Sequence, residues 1–363
     1  MNPMYTTRIE RLKKMLAMME MDGLFVTNGF NMRYLTGFLG GNGDGVVLVT
    51  KQSVLLITDS RYEEELKASL PAEVTLVITR DYYQEAAKQT EKAGVLRLGF
   101  EDDLAFRVFD LMDELLVVED FLPVPGVLEA LREIKDQTEV TALRKSTAIS
   151  VAAFNQLLPK LHVGMTEKEV ANELDYLARK LGAQKASFDT IVASGWRGAL
   201  PHGLATDKVI ETGELVTIDF GYYVDGYTSD ITRTIAFGEV SDELKHIYQT
   251  VLTAQKRIIA EVFNGVASSE LDRVGREYIT AQGYGKEFNH GTGHGIGLDI
   301  HEGPNISRSL DDEMVTNNLL TIEPGIYVAG LGGVRIEDDV LVTPAGYENL
   351  TSGITTDLIV IDD

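Results

Sequence analysis

The chain has 363 residues, of which 44% are hydrophobic and 25% charged, a balance typical of a globular protein with room for two domains of roughly 100–250 residues each. Its formal net charge of −23 argues against binding to nucleic acids or anionic membranes, which need a basic surface. No apolar run approaches the ~20 residues that span a bilayer. Cysteine is absent and the N-terminal residues offer no apolar signal segment, so we expect a cytoplasmic protein without disulfides or thiolate metal sites.

Strands alternate with helices over the first third of the chain, a pattern that predicts an α/β layer domain. Helices are predicted over residues 8–21, 60–69, 83–92 and 104–116, and strands over 23–27, 46–50, 54–58, 74–79, 97–100 and 117–121. The turn at residues 123–126 and the charged helix after it indicate a boundary. We therefore predict one domain over residues 1–124 and a second over residues 125–363.

The second part of the chain contains a diverged internal repeat. A segment over residues 164–182, in which a glycine turn precedes an amphipathic helix that a second glycine ends, returns roughly one hundred residues later at 265–283. In each copy an apolar strand with an acid follows, with Asp219 in the first copy and Glu323 in the second. Two such halves are expected to pack about a pseudo-two-fold axis, and a cleft shared by them is a natural site for chemistry.

Two acids of the first copy are predicted to project from one face of a hairpin. The dipeptide Asp225-Gly226 is a strong turn signal, and a turn there places Asp219 opposite Thr232. Asp230 then becomes a diagonal neighbour of Asp219. Two carboxylates on one face of a half-buried sheet repel each other and lose hydration, and a cation between them removes both costs. The apolar neighbours of Asp219 make an ordinary solvent-exposed acid the poorer interpretation.

The second copy repeats this arrangement with Glu323 and Glu337. A glycine-rich turn at residues 330–333 is expected to join the two strands, so that the glutamates lie near each other. Arg335 shares the face of Glu337. It could orient a ligand carboxylate through a hydrogen bond, or it could form an ordinary surface ion pair.

Four of the six histidines stand in glycine-rich loops, His202 by itself and His290, His294 and His301 as a group. Glycines at positions 291, 293 and 295 argue against a helix, so the spacing of His290 and His294 does not indicate an HExxH zinc site. A lone histidine in such a loop is more often a surface residue than a ligand. The clustering of three favours a functional site.

Taken together, these motifs resemble the pita-bread (M24B) metallopeptidases, and within them the short bacterial Xaa-Pro peptidases, which are the Xaa-Pro dipeptidases (prolidases) and Xaa-Pro aminopeptidases. The motifs are PHG, DFG, SDITRT, GHGIG, HEGP, EPG and RIED, beginning at residues 201, 219, 229, 293, 301, 323 and 335. They cover residues 188–340 densely, and the N-terminal segment resembles the creatinase/prolidase N-terminal domain more weakly. The resemblance implies an α/β (α+β) fold in which that domain precedes a pita-bread catalytic domain.

The resemblance also implies two divalent metal ions per subunit, bridged by Asp230 and Glu337. The implied ligands are Asp219, Asp230, His294, Glu323 and Glu337. Four carboxylates and one imidazole form a hard ligand set, which suits Mn²⁺ and admits Co²⁺ or Zn²⁺. The implied reaction is hydrolysis of the Xaa-Pro peptide bond by a hydroxide that bridges the two ions.

Further roles follow from the same resemblance. Glu323 is expected to act as general base and acid, and His202 and His301 to contact the substrate and stabilise the oxyanion. His290 is expected to line the substrate pocket, and Tyr327 and Arg335 to support the site. The implied partner is a proline-containing peptide, and the implied assembly is a homodimer.

The sequence leaves the length of the substrate open. Some bacterial prolidases carry an arginine directly after the histidine that corresponds to His290, where it could bind the carboxylate of a dipeptide, and Gly291 stands there in this chain. Its absence favours longer substrates, with Arg197 as the remaining candidate to bind such a carboxylate. We therefore expect Xaa-Pro aminopeptidase activity, with Xaa-Pro dipeptides as additional substrates.

Two other classes of function share parts of this pattern. A methionine aminopeptidase-like enzyme shares the five ligands but normally lacks an N-terminal domain like this one. A non-catalytic pita-bread protein that binds peptides or proteins, or a metal-free relative such as creatinase, is expected to have lost ligands. The intact ligand set argues against this second class.

Overall fold

The computed structural model describes residues 3–362, which divide into two compact units between Arg132 and Glu133. The boundary predicted from the sequence, at residues 124 and 125, stays a prediction. No helix within residues 3–362 is both long enough and apolar enough to cross a membrane.

A six-stranded mixed sheet forms the centre of the first unit. Its strands are β1 (Gly23–Val26), β2 (Gly45–Thr50), β3 (Val54–Thr58), β4 (Val74–Ile78), β5 (Arg97–Phe100) and β6 (Asp120–Pro123). Their order is β4-β3-β2-β1-β5-β6, with β1 antiparallel to β2 and parallel to β5. The helices are α1 (Pro3–Met18), α2 (Gly29–Thr36), α3 (Glu63–Ser69), α4 (Tyr82–Lys92), α5 (Phe106–Leu115) and α6 (Val127–Glu133), the last of which ends at the unit boundary.

The predicted α/β pattern of this unit is confirmed, except that helix α2 was not predicted. Asn28 begins α2, since its side chain accepts hydrogen bonds from the amides of Phe30 and Asn31, and Gly37 ends it in the left-handed conformation at φ 75°. Eight residues are too few for a clear helical period, so only these two caps marked the helix in the sequence.

Within residues 133–362, four α-helices and several small sheets make up most of the second unit. Its helices are α7 (Gln137–Leu157), α8 (Glu167–Lys180), α9 (Asp242–Ala260) and α10 (Ser268–Ala281), and 3₁₀ turns cover Leu158–Lys160 and Gly195–Ala199. The strands are β7 (Lys185–Ala186), β8 (Ile191–Ser194), β9 (Glu214–Phe220), β10 (Tyr222–Tyr223), β11 (Ile231–Phe237), β12 (Gly293–Gly295), β13 (Glu302–Ile306), β14 (Leu319–Ile322), β15 (Gly325–Val328), β16 (Gly332–Arg335), β17 (Asp338–Thr343), β18 (Gly346–Asn349) and β19 (Val360–Ile361).

The strands of the second unit form two larger sheets, and β19 from the end of the chain joins the sheet of the first half. The first has the order β19-β11-β9-β8, and the second has the order β13-β12-β14-β17-β18. Strands β15 and β16 form a separate hairpin, and β10 pairs with β7. Apolar residues of α7 and α8 pack on the first sheet, while residues of α9 and α10 pack on strands of the second half.

The internal repeat inferred from the sequence is visible in the helices. Helix α8 lies between Gly164 and Gly182, and α10 lies between Gly265 and Gly283. All four glycines have positive φ, at 93°, 112°, 101° and 95°. Only glycine adopts this conformation at little cost, which explains why the glycines mark both ends of the helix in each copy.

Candidate active site

The hairpin register predicted for the first copy is confirmed. Thr232 pairs with Asp219 across β11 and β9, and the turn residues Asp225 and Gly226 both have positive φ, at 51° and 83°. This combination is the two-residue turn that fits the twist of a hairpin. The register places Asp219 near the end of β9, and Asp230 directly precedes β11.

Three carboxylates converge in the lining of a cavity of about 1000 Å³ in the second unit. One oxygen from each of Asp219, Asp230 and Glu337 lies within 4.8 Å of the others. The three residues are only 9%, 6% and 2% exposed. Oδ1 of Asp219 is buried and accepts no hydrogen bond from any residue that the structure describes. Oxygen atoms that converge in this way, one of them without a donor, are a binding site for a cation.

The pKa shifts of these acids also indicate a cation site. Burial, reinforced by the charges of Glu337 and Asp219, raises the pKa of Asp230 well above its usual range. Burial and the charges of Glu323 and Asp219 likewise raise the pKa of Glu337. The acids therefore repel one another in a poorly hydrated place, and a bound cation would remove the repulsion.

His294 presents one ring nitrogen to these acids. Its Nδ1–H donates to the carbonyl of Gly295 over 3.0 Å, which leaves Nε2 with its lone pair. This Nε2 lies 3.7 Å from Oδ2 of Asp230 and 3.4 Å from Oε1 of Glu323. Burial lowers the pKa of His294, so the neutral imidazole that metals bind is favoured.

A buried hydrogen-bond chain connects Arg335 to both the acids and the histidines. Nη2 of Arg335 donates to Oδ2 of Asp219 over 2.7 Å, and Nη1 donates to the hydroxyl of Tyr327 over 2.8 Å. That hydroxyl is 2.9 Å from Nε2 of His290, whose Nδ1–H donates to the carbonyl of Gly291. Arg335 is 4% exposed, which excludes the surface ion pair considered from the sequence.

The remaining histidines line the same cavity. His202, His290, His294 and His301 all contribute to its wall, as does Glu323. The imidazole rings of His294 and His301 are 4.7 Å apart between centroids. Burial and the neighbouring His294 lower the pKa of His301. The structure thus places in the lining of this cavity every residue that the sequence predicted as a metal ligand, a catalytic group or a support of the site.

Thr232 and Asp339, neither of which was predicted as a site residue from the sequence, also support the cluster. The hydroxyl of Thr232 donates to Oε2 of Glu337 over 2.6 Å and accepts from Nε of Arg335 over 3.1 Å. Asp339 is fully buried, and its Oδ2 accepts from the hydroxyl of Thr147 over 2.9 Å and more weakly from the amide of Asp230. Burial raises the pKa of Asp339 to about 8. An acid at the start of the apolar strand β17 was the signal that could have identified Asp339.

Arg197, the candidate to bind a substrate carboxylate, is engaged elsewhere. One of its guanidinium nitrogens is ion-paired with Glu167, and Nη2 donates to the carbonyl of Leu204 over 2.9 Å. Within residues 3–362, Arg335 is the only arginine or lysine that lines the cavity. Arg335 already donates hydrogen bonds to Asp219 and Tyr327. Among the described residues, the cavity lining therefore offers no arginine or lysine that is available to bind a substrate carboxylate.

A cluster of buried acids with an imidazole beside it, in the lining of a large cavity, is typical of the pita-bread metallopeptidases. The family model for metallopeptidase family M24 matches residues 141–344, and that for the creatinase/prolidase N-terminal domain matches residues 8–134. The chain belongs to metallopeptidase family M24.

Relatives of this chain match it over nearly its full length. It is 39% identical over 345 residues to a Xaa-Pro dipeptidase of Pyrococcus furiosus, covering 95% of this chain and 97% of that protein. Its fold matches a solved Xaa-Pro dipeptidase from Bacillus anthracis with a TM-score of 0.94 and 44% identity, covering 98% of this chain and 100% of the other. It also matches an X-Pro aminopeptidase from Thermotoga maritima with a TM-score of 0.87 and 37% identity, over 94% and 98% of the two chains.

Family membership implies divalent metal ions, and the residues of this chain fit them. The fit rests on the unpartnered Oδ1 of Asp219, on the converging oxygens of three buried acids, and on Nε2 of His294, which faces Asp230 and Glu323. The fold expected from the resemblance, a creatinase-type domain followed by a pita-bread domain, is confirmed.

Proposed function

We propose that this enzyme is an exopeptidase that hydrolyses the bond between a residue and a following proline. The observation that carries the metal-dependent chemistry is the convergence of three buried carboxylates and one imidazole in the lining of the cavity. The proline specificity is supported by the relatives, which are described as Xaa-Pro dipeptidases and an X-Pro aminopeptidase.

We propose that two divalent ions would be held by Asp219, Asp230, His294, Glu323 and Glu337. Bound ions of this kind supply an activated water and polarise the scissile carbonyl. Mn²⁺ is the proposed ion, with Co²⁺ and Zn²⁺ as alternatives, because four of the five ligands are hard carboxylates. The same proposal includes a homodimer, which the family resemblance implies. It also includes a cytoplasmic location, which fits the absence of cysteine.

The side chains of the cavity have distinct parts in the proposed reaction. Glu323 accepts the proton of the attacking water and delivers it to the nitrogen of the leaving proline. His202 and His301 donate hydrogen bonds to the oxygen that becomes negatively charged. Tyr327 and Arg335 hold His290 and Asp219 in place.

In this proposal the preferred substrate is a peptide with at least one residue after the proline. The cavity volume of about 1000 Å³ is at the upper end of the range for ligand sites. A strict dipeptidase needs a partner for the carboxylate that directly follows proline, and Arg335 and Arg197 are both committed to other groups. We therefore propose Xaa-Pro aminopeptidase activity, with Xaa-Pro dipeptides as additional substrates.

The test compares kcat/KM for Ala-Pro, Ala-Pro-Ala and Ala-Ala-Ala, using protein that has been stripped with a chelator and reloaded with Mn²⁺. We expect Ala-Pro-Ala to be cleaved after its first residue at least as efficiently as Ala-Pro, and Ala-Ala-Ala to be cleaved poorly. Equal cleavage of Ala-Ala-Ala would contradict proline specificity. A strong preference for Ala-Pro would instead identify a strict dipeptidase.

A further inference from the structure

One buried carboxylate accepts hydrogen bonds from both ends of the loop that carries His202. Glu167, the first residue of α8, is fully buried. Its Oε1 accepts from the amide and the hydroxyl of Ser194, over 2.8 and 2.9 Å. Its Oε2 accepts from the amide and the hydroxyl of Thr206, over 3.0 and 2.7 Å, and is ion-paired with Arg197. We call residues 194–206 the His202 loop.

Arg197 extends this network into the middle of the His202 loop. Its side chain is 12% exposed, and Nη2 donates to the carbonyl of Leu204. The carbonyl of Arg197 accepts from the amide of Leu200, and the carbonyl of Leu200 accepts from the amide of Gly203. His202 lies inside these successive turns, and its own carbonyl accepts from the amide of Leu204.

The electrostatics make Glu167 a strong acceptor. Burial alone would raise its pKa, but the hydrogen bonds from Arg197, Thr206 and Ser194 outweigh that effect and hold the pKa of Glu167 below its usual value. The carboxylate is therefore ionised at neutral pH. Hydrogen bonds to an ionised acceptor are about twice as strong as neutral ones, so five of them on one carboxylate fix the loop firmly.

We propose that Glu167 and Arg197 are positioning residues, which fix the backbone of the His202 loop and thereby hold the imidazole of His202 at the wall of the active-site cavity. This inference rests on the role of His202 in the proposed function. His202 itself is exposed and lies outside the helices and strands that the structure describes, so the network around Glu167 supplies the rigidity that a regular element would give. Small displacements of a catalytic group cost large factors in rate, which is why such a loop needs this support.

The main variant for the test is Arg197→Lys. Lysine keeps the charge but lacks the fork that reaches Glu167 and Leu204 together. Arg179→Lys is the matched control, because Arg179 also joins a carboxylate, that of Asp175, to a backbone carbonyl, that of Gln184, and lies on α8 away from the cavity. Glu167→Gln is a second variant, to be used if it folds.

The measurement is a double-mutant cycle with His202→Ala in the metal-loaded full chain, scored by kcat, KM and bound metal. We expect Arg197→Lys to lower kcat by about 10-fold or more, with KM and metal content near normal. In the His202→Ala background, which itself loses roughly 10²–10³ in kcat, the same substitution should change kcat less than about twofold. Arg179→Lys should leave kcat unchanged in both backgrounds.

The possible failures are distinguishable. A full 10-fold loss in the His202→Ala background, or an unchanged kcat in Arg197→Lys alone, would overturn the positioning role while the role of His202 stands. Normal kcat in His202→Ala would overturn the proposed role of His202 and the positioning role with it. A loss of metal in Arg197→Lys would show that the network supports the ligands instead, which also contradicts the inference.

Discussion

Glu101, in the first unit, is a buried acid that takes no part in the proposed chemistry. Its Oε2 accepts from the amides of Thr27 and Asn28, and its Oε1 accepts from the side chain of Asn31. Burial raises the pKa of Glu101 from 4.5 to about 7, although these hydrogen bonds oppose the shift. The folded state therefore binds the proton of this group more tightly than the unfolded state does.

A pH dependence follows for the stability that Glu101 contributes. This contribution is fully present below about pH 4.5 and is lost as pH rises to about 7, a change of at most about 3 kcal/mol. The difference in unfolding free energy between the wild type and Glu101→Gln should therefore fall by about 2–3 kcal/mol between pH 5 and pH 8. Urea unfolding at these pH values measures it.

An exposed acid of the same unit serves as the control for this prediction. Glu64, on α3, pairs with Lys67 at the surface. The substitution Glu64→Gln should change the unfolding free energy by less than about 0.5 kcal/mol at both pH values. A difference for Glu101→Gln that does not change between pH 5 and pH 8 would mean that Glu101 is ionised throughout this range.

At the scale of elements, helix α7 is attached to the site by three hydroxyls on one face. Ser146 donates to the carbonyl of Tyr222 over 2.6 Å, and Ser150 shares a hydrogen bond with Ser229, directly before Asp230. Thr147 donates to Asp339, whose Oδ1 has no partner among the residues that the structure describes. Short polar side chains thus connect this helix to residues that are neighbours of the acid cluster.

Thr147→Val should destabilise the protein by about 1–3 kcal/mol, because it removes a hydrogen bond from a buried acid that has few others. Thr141→Val on the same helix is the control, since Thr141 is exposed and bonds only to the carbonyl of Gln137. The control should change the unfolding free energy by less than about 0.5 kcal/mol in chemical denaturation. Equal effects of the two substitutions would show that Thr147 matters only through helix propensity.

Features that depend on residues close together in the chain could be predicted from the sequence, whereas contacts between distant segments could not. The hairpin that pairs Asp219 with Thr232 could be predicted because a short turn fixes its register, and the helices of the repeat because glycines mark their ends. The engagement of Arg197 could not be predicted, because its partner Glu167 lies on a different element and is brought close only by the packing of α8 on the first sheet. The same holds for Thr147 and Asp339.

At the scale of the whole molecule, the metal ions should contribute to stability as well as to catalysis. Acids outnumber bases by 56 to 33 in the chain, and three of the acids converge in the site without a neutralising base for each. A ligand present at about 100 times its Kd stabilises the folded state by about 2.7 kcal/mol. Removing metal with a chelator should therefore lower the Tm, and adding Mn²⁺ should restore it.

The variants Glu337→Gln and Asp219→Asn should abolish both the activity and the Tm shift on adding Mn²⁺, because each removes a charge from the proposed ligands. Glu348→Gln is the control, since Glu348 pairs with Arg144 at the surface of the same unit. It should keep the activity and the shift. A normal Mn²⁺ shift in Glu337→Gln would contradict the assignment of Glu337 as a ligand.

The placement of the acids in two halves of a repeat also bears on how the enzyme unfolds. Asp219 and Asp230 come from the first half and Glu337 from the second, roughly one hundred residues further along the chain. A cation held by all three can bind only after both halves have docked, late in folding. Its stabilisation therefore slows unfolding far more than it speeds folding. The lifetime of the enzyme against irreversible inactivation then depends on the supply of metal, even when no substrate is present.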